Sequence, residues 1–255
     1  MKVHILGCSG GIGGHHLRTT SMRVDHDILL DCGTGVGDLS IDELVQIDHV
    51  FLTHSHLDHI ACLPLLIDSV GDMRKQPLVV HATEATLEIL REHVFNWKIW
   101  PDFSVIPSAG APFMRFEPLR VGECVELGGR RFTPLPANHT VPAVGYRLDS
   151  GAASLVFSGD TGPCPERWLA VNAIANLKYL IIETAFSNRE RQLAEVSRHL
   201  CPDTLAAEMR NLRRDAEVFI THLKPGQDAL IMQEVQEAIG GFRPRMLQND
   251  QVLEF

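Results

Sequence analysis

Short apolar segments recur along this chain, and most of them end in a polar or ionisable residue. Nine of them, from VHILG at residues 3–7 to EVFITH at 217–222, have the length and β-branched content of strands. Amphipathic patterns between several of them predict helices over 60–72, 83–95, 188–200, 202–215 and 227–239, with Thr83 capping the second. Sites in α/β folds form at the carboxyl ends of strands, so the residues there are expected to converge on one edge. These residues are Asp31, His54, His81, His139, Asp160, Glu183 and His222.

The densest polar group is THSHLDH at residues 53–59, which holds His54, His56, Asp58 and His59. Side chains two apart on an extended segment project to the same side, so His54 and His56 form one pair. Asp58 and His59 follow as the chain turns into a helix. A solvated turn, a proton-transfer site and a metal site are the three interpretations. Imidazole and carboxylate ligands favour metal, with Zn²⁺, Mn²⁺ and Fe²⁺ all suitable. Further ligands are then expected from His139, Asp160 and His222, with Asp160 as the bridging candidate.

Composition limits the class of protein. A chain of 255 residues with 45% hydrophobic residues can bury one large core, so a single domain over 1–255 is expected. The net charge of −9 argues against binding of long nucleic acid. The six cysteines have no CxxC spacing and are expected to be reduced, which favours a cytoplasmic location. No apolar stretch approaches the ~18 residues of a membrane span, so no membrane partner is expected.

Two segments depart from the regular pattern of strands and helices. FNWKIWPDFSVIPSAGAPF, residues 95–113, is an aromatic-rich insertion that is either a packed loop or an arm that covers the site or joins a second subunit in a homodimer. GCSGGIGGHH, residues 7–16, lacks the third glycine of a dinucleotide fingerprint, because His16 stands there, and lacks the GK[ST] of a P-loop. Its glycines are expected to let the backbone approach the metals closely.

THSHLDH resembles the HxHxDH signature of the metallo-β-lactamase-fold hydrolases. LGCSGG, LLDCGTG, NHT, SGDTG and ITHLKPG resemble further segments of that family, in the same order and over nearly the whole chain. The resemblance implies a four-layer αββα sandwich of the α/β class with the site at one edge of its two sheets. It also implies two divalent metal ions, with zinc as the favoured metal and manganese or iron as alternatives. The first would bind His54, His56 and His139, the second Asp58, His59 and His222, and Asp160 would bridge them.

A finer resemblance is to the class II cyclic-nucleotide phosphodiesterases. It rests on Leu57 with the following IACLPLLIDS, on FNWKIWPDFSVIP and on IIETAFSN, whereas Cys62 and Leu66 depart from small residues of that pattern. It implies a small-molecule substrate such as cAMP, which is hydrolysed to the 5′-nucleotide by a hydroxide that bridges the metals and attacks phosphorus.

Further residues are candidates for catalysis or substrate contact. Asp58 would orient the nucleophile, and Glu183 would contact ribose or assist protonation of the leaving group. Asn96, Trp100, Asn188 and Lys224 are candidates for substrate contact, and His26 and His81 are weaker candidates. Each of these side chains also has an ordinary structural interpretation.

Three alternative functions stay open. A ribonuclease Z-like phosphodiesterase is disfavoured by the net charge of −9 and by the lack of an inserted basic arm. A thioester or lactone hydrolase would use the same metal site. A non-enzymatic scaffold of the same fold could dispense with metal ligands, yet all seven candidates are present.

Overall fold

The computed structural model describes residues 1–14 and 16–255, and within them the chain forms two seven-stranded sheets and one small hairpin. The first sheet has the order β16 (Val252–Glu254), β1 (Lys2–Gly7), β2 (Ser21–Val24), β3 (Ile28–Cys32), β4 (His49–Phe51), β5 (Leu78–Thr83) and β8 (Met114–Leu119). The second has the order β15 (Arg245–Met246), β14 (Glu217–Thr221), β13 (Leu177–Glu183), β12 (Ser154–Phe157), β11 (Val144–Asp149), β10 (Arg130–Pro136) and β9 (Val125–Leu127). The hairpin pairs β6 (Pro107–Ser108) with β7 (Ala111–Pro112).

Helices cover the outer faces of both sheets. The helices that follow the strands of the first sheet are α1 (Ile41–Val45), α2 (Leu57–Ile60), α3 (Leu63–Val70) and α4 (Glu84–His93). Those of the second half of the chain are α5 (Pro165–Asn172), α6 (Arg191–Ser197), α7 (Pro202–Met209) and α8 (Asp228–Ile239). None of the helices in the described ranges is both long enough and apolar enough to span a bilayer.

The alternation of side chains along the strands produces three separate cores. In β3, Ile28 and Leu30 point into the core between the two sheets, whereas Leu29 points into the core beneath α1–α4. On the second sheet, Val156 and Leu180 pack under α5, α7 and α8. The order of layers is therefore helix, sheet, sheet, helix, which confirms the predicted αββα sandwich.

Each sheet is parallel in the half that carries the candidate site. Strands β3, β4, β5 and β8 are mutually parallel, as are β12, β13, β14 and β15. Their carboxyl ends therefore deliver side chains to one edge, as the sequence predicts. His81 is different, because it lies inside β5, stacks on Phe51 with ring centroids 4.4 Å apart, and faces Nδ1 of His49 at 3.0 Å.

The nine predicted strand segments and five predicted helical segments each contain an observed element of that type. Thr83 caps α4 as expected, since its hydroxyl accepts a hydrogen bond from the Thr86 backbone N–H at 3.3 Å. Most of the remaining strands, including β9, β15 and β16, are two or three residues long and lie at sheet edges.

The aromatic-rich segment 95–113 is divided between core and surface. Phe95 and Phe103 are buried in the core beneath α1–α4, and Trp100 packs against it. Trp97 and Ile99 are 64% and 68% exposed. Phe113 also packs against this core, so four of the five aromatic side chains anchor the segment. Its roles as a cover for the site or in a homodimer stay predictions.

Candidate metal centre

Three histidines from two segments form the first ligand group. One ligand atom from each of His54, His56 and His139 lies within 4.8 Å of the others. Nδ1 of His56 lies 3.1 Å from Nε2 of His139. Nε2 of His54 is buried and has no hydrogen-bond partner among the described residues. A buried, unpaired imidazole nitrogen aimed at two others is what a metal ligand requires before its ion binds.

Four residues form the second ligand group, which adjoins the first. Asp58, His59, Asp160 and His222 also present ligand atoms within 4.8 Å of one another. Oδ2 of Asp160 lies 3.3 Å from Nε2 of both His59 and His222, and 3.8 Å from Nε2 of His54. This carboxylate therefore faces ligands of both groups. All seven predicted metal ligands are thus brought together, in the division that the resemblance implies.

The other nitrogen of each buried ligand is held by the protein. His59 Nδ1 lies 2.7 Å from Oδ2 of Asp31, and that carboxylate also accepts the Thr53 backbone N–H at 2.7 Å. His54 Nδ1 lies 3.0 Å from the Thr53 hydroxyl, and His222 Nδ1 lies 3.4 Å from the Thr20 hydroxyl. Such partners fix the tautomer and the ring orientation of metal-binding histidines. Asp31, the first of the predicted strand-end residues, therefore holds a candidate ligand in place, since its carboxylate contacts His59 and Thr53.

Burial and neighbouring charges act in opposite directions on the pKa values of the candidate ligands. Burial lowers the pKa of His54 well below its ordinary value and lowers that of His222 to about 4. Burial would also lower the pKa of His59, but the Asp160 and Asp31 carboxylates raise it well above its ordinary value. Burial raises the pKa of Asp160, and the surrounding imidazoles more than offset this and lower it. The pocket thus gathers carboxylate and imidazole donors in a buried space, which suits divalent cations.

The glycine-rich segment 7–16 passes directly behind one ligand. A Cβ atom on Gly10 would lie 2.4 Å from the backbone oxygen of His222 and 3.1 Å from its ring. The Cys8 carbonyl accepts the backbone N–H of His222 at 2.8 Å. Close backbone approach to a candidate metal ligand is therefore present at Gly10. His15, near the end of the segment, lies outside the described residues.

His199 joins the site without having been predicted. A nitrogen of His199 lies within 4.8 Å of ligand atoms of His139 and Asp160, and its ring stacks on that of His222 at 5.3 Å. Its Nδ1 lies 2.7 Å from Oε1 of Glu183, whose charge raises the pKa of His199 although burial would lower it. His199 follows α6 and not a strand, so the strand-end pattern gives no signal for it.

Glu183 itself is fully buried and saturated with hydrogen bonds. Oε1 accepts the backbone N–H of Thr161 at 3.0 Å in addition to the His199 contact. Oε2 accepts the backbone N–H groups of Ala185 at 3.1 Å and Leu200 at 3.2 Å. Its direct neighbour in the site is therefore His199, so any effect of Glu183 on a substrate passes through that imidazole.

The residues predicted to contact substrate make contacts with other parts of the protein itself. Asn96 accepts the backbone N–H groups of Lys98 and Ile99, both at 2.9 Å, and Asn188 accepts that of Asp203 at 2.9 Å. Trp100 is half-buried against the core beneath α1–α4. Lys224 donates to the Gly10 carbonyl at 2.9 Å, with its ammonium 5.5 Å from the centroid of the Phe186 ring. Lys224 thereby touches the glycine-rich segment that packs against the candidate ligand His222. Substrate contact by any of the four stays a prediction. His26 lies exposed in the turn between β2 and β3.

Comparison with known proteins identifies the family. The model of the family described as "Beta-lactamase superfamily domain" matches residues 26–238, which is most of the chain. The chain belongs to the β-lactamase superfamily. Unliganded yeast PDE1 superposes with a TM-score of 0.83 at 18% identity, covering 100% of this chain and 99% of that one, and therefore supports the fold of this superfamily member.

Sequence relatives include proteins named as cyclic-nucleotide phosphodiesterases and proteins named as ribonucleases. A "Probable 3',5'-cyclic-nucleotide phosphodiesterase" of Yersinia pestis is 29% identical over 75% of this chain, which spans 63% of that relative's length. A "3',5'-cyclic-nucleotide phosphodiesterase" of Aliivibrio fischeri is 27% identical over 86% of this chain and 80% of the relative. A "Ribonuclease Z" of Metallosphaera sedula is 27% identical over 58% of this chain and 48% of the relative. The resemblance to cyclic-nucleotide phosphodiesterases seen in the sequence is thereby confirmed.

Proposed function

We propose that this protein is a dinuclear metal-dependent phosphodiesterase that hydrolyses 3′,5′-cyclic nucleotides such as cAMP to 5′-nucleotides. The observation that carries the proposal is the placement of Asp160 between two ligand groups, with Oδ2 3.8 Å from His54 and 3.3 Å from His59 and His222. The nitrogen-rich first group suits Zn²⁺, and the mixed second group also suits Mn²⁺ or Fe²⁺. We place the protein in the cytoplasm, consistent with its free cysteines.

Two bound cations would lower the pKa of a water molecule and stabilise the charge that develops on a phosphoryl group. His54, His56 and His139 would hold one, and Asp58, His59 and His222 the other. Asp58 is the most accessible carboxylate of the candidate site, with 31% of its side chain exposed. It therefore borders the position of the nucleophile as well as completing the second group.

Hydrolysis of a cyclic phosphodiester also requires a proton for the departing 3′ oxygen. His199 can supply it, because Glu183 occupies its Nδ1 and leaves Nε2 for the reacting group. The carboxylate favours the protonated imidazole and fixes the ring. Lys224, half-buried beside Phe186, would contact a substrate phosphate oxygen.

Ribonuclease Z-like activity is the second candidate, because relatives of that name match more than half of the chain. It would use the same metals and the same proton donor on a far larger substrate. The net charge of −9 disfavours this choice, since a long RNA requires a basic surface. A substrate panel separates the candidates.

The panel uses protein reconstituted separately with Zn²⁺ and Mn²⁺, and cAMP, cGMP, 2′,3′-cAMP, an aryl phosphodiester, a thioester and a tRNA precursor. We expect cAMP or cGMP to be the substrate with the highest kcat/KM and the 5′-nucleotide to be the product. Cleavage of the tRNA precursor without hydrolysis of any cyclic nucleotide would reverse the ranking. Preference for the thioester would reject a phosphodiesterase altogether.

A further inference from the structure

Arg198 has a backbone conformation that few residues with a Cβ atom adopt. It ends α6 with φ 53° and ψ 52°, in the left-handed region. Glycine is the ordinary residue at such a helix end, because the conformation costs other residues free energy. A residue with a side chain persists in this conformation only where contacts around it offset the cost.

Both the backbone and the side chain of Arg198 contact the same candidate metal ligand. The Arg198 carbonyl lies 3.1 Å from Nδ1 of His139, in position to accept its proton. The Arg198 guanidinium donates from Nη1 to the backbone carbonyl of His139 at 2.6 Å. The ring and the main chain of His139 are thereby held by one residue from a distant helix end.

The same residue packs against the segment that carries Asp160. A Cβ atom on Gly162, two residues beyond Asp160, would lie 3.5 Å from Cα of Arg198. His199, the candidate proton donor, is the next residue along the chain. The left-handed turn at Arg198 therefore sets the spacing among His139, the Asp160 segment and His199.

We propose that Arg198 is a positioning residue of the metal centre. Its left-handed backbone directs the carbonyl to Nδ1 of His139, and its guanidinium fixes the main chain of that histidine. The residue acts on metal binding through His139. The proposal rests on the metal site of the proposed function, and it is independent of which substrate is hydrolysed.

The variant Arg198→Gly distinguishes an effect of Arg198 on metal binding from an effect on folding. Glycine adopts the left-handed conformation without strain, so the carbonyl contact should persist while the guanidinium contact is lost. We expect the Zn²⁺ dissociation constant to rise about tenfold, the scale seen for partners of metal-binding histidines. The thermal midpoint of the metal-free variant should equal or exceed that of the unaltered protein. Zn²⁺ affinity is measured by competition with a chromophoric chelator, so the readout does not depend on catalysis.

Arg243 supplies a matched control within the chain. It is an exposed arginine that also ends a short helix in the left-handed region, with φ 51° and ψ 52°. Arg243→Gly should change the thermal midpoint in the same direction and leave Zn²⁺ affinity unchanged. Arg198→Lys, which keeps a cationic donor, should recover part of the affinity lost in Arg198→Gly.

Unchanged Zn²⁺ affinity in a folded Arg198→Gly protein would overturn the proposal. So would an equal loss of affinity in Arg243→Gly. A raised KM for the panel's best substrate with unchanged Zn²⁺ affinity would also overturn it and would assign Arg198 to substrate contact. If Arg198→Gly failed to fold, the Zn²⁺ affinity of Arg198→Lys would decide: below that of the unaltered protein supports the proposal, and equal to it overturns it.

Discussion

Nδ1 of His199 lies 2.7 Å from Oε1 of Glu183, in a buried pair that adjoins both candidate ligand groups. The carboxylate is held by backbone N–H groups on either side, so it cannot follow the imidazole if a substrate displaces it. The pair is therefore held rigidly at the edge of the candidate metal centre, where the proposed function would use it as a proton donor. Its contribution should depend on how much the leaving group needs a proton.

Replacing His199 should slow the hydrolysis of substrates with poor leaving groups more than that of substrates with good ones. We expect His199→Ala to lower kcat for a cyclic nucleotide by roughly 10²–10⁴, the usual contribution of a positioned general acid. Hydrolysis of an aryl phosphodiester with a nitrophenolate leaving group should fall much less, because that group departs without protonation. The measurement is kcat for both substrates with matched metal content.

The matched control is His93→Ala, which removes an exposed histidine at the end of α4. It should leave both rates unchanged. An equal loss of both rates in His199→Ala would show that His199 serves metal binding and not proton transfer.

The Thr161 hydroxyl connects α5 to the two segments that carry the candidate ligands His139 and Asp160. It accepts hydrogen bonds from the backbone N–H of Asn138 at 3.0 Å and from Nη2 of the buried Arg167 at 3.1 Å. Because Asn138 precedes His139 and Thr161 follows Asp160, this hydroxyl joins two ligand segments. Thr161→Val, which is nearly isosteric, should cost about 1–3 kcal/mol of unfolding free energy by leaving buried donors unpaired. It should also weaken Zn²⁺ binding.

Thr161→Ser keeps the hydroxyl and should retain Zn²⁺ affinity near that of the unaltered protein. Unfolding by urea and chelator competition measure the two effects separately. Equal Zn²⁺ affinity in the Val and Ser variants would contradict a link between this hydroxyl and the ligands.

The unfolding free energy of the metal-free protein should fall on acidification, and the titration of His81 should account for part of that fall. Burial, with a smaller effect from His49, lowers the pKa of His81 in the folded state to about 4 from an ordinary value of 6.5. Below pH 6.5 the unfolded chain therefore binds a proton that the folded protein excludes, so the unfolding free energy declines as pH falls toward 4. We expect about 1–3 kcal/mol of this decline to disappear in His81→Gln.

Urea unfolding at pH 7.5 and pH 5 in the presence of chelator measures the difference. The exposed His26→Gln serves as control and should follow the unaltered protein at both values. If His81→Gln lost as much stability on acidification as the unaltered protein, His81 would not be the titrating group.

Removal of the shared carboxylate should affect both ligand groups together. Asp160→Ala should abolish hydrolysis and lower bound Zn²⁺ measured by elemental analysis, because Oδ2 faces His54 as well as His59 and His222. Asp228→Ala, which alters an exposed carboxylate in the first turn of α8, is the control. Full Zn²⁺ content in Asp160→Ala would contradict the bridging assignment.

The sequence predicts which candidate metal ligands lie together, and it does so for a physical reason. His54, His139, Asp160 and His222 follow buried strands or their extensions, and strand direction then fixes where their side chains meet. His81 misleads because it precedes the end of its strand by two residues, which places it in the core between the sheets beside Phe51.

Contacts that depend on loops are not predictable from the same pattern. His199 and Arg198 reach the site through a left-handed turn after α6, and neither lies near a strand in the sequence. Asn96 and Asn188 are polar residues in suggestive segments, yet their side chains accept backbone N–H groups of their own or a neighbouring turn. The positions of strand ends predict where the candidate ligands lie. The geometry of turns decides which other polar side chains are already engaged by the backbone and which can contact a substrate.

The most direct test is a titration of metal into metal-free protein while cAMP hydrolysis and bound metal are followed together. The structure provides two adjoining ligand groups that share Asp160, so activity should appear and saturate at two Zn²⁺ or Mn²⁺ ions per chain, with 5′-AMP as the product. Saturation of activity at one ion per chain would contradict the dinuclear centre. No 5′-AMP formed by a chain with two ions bound would contradict the proposed activity on cAMP.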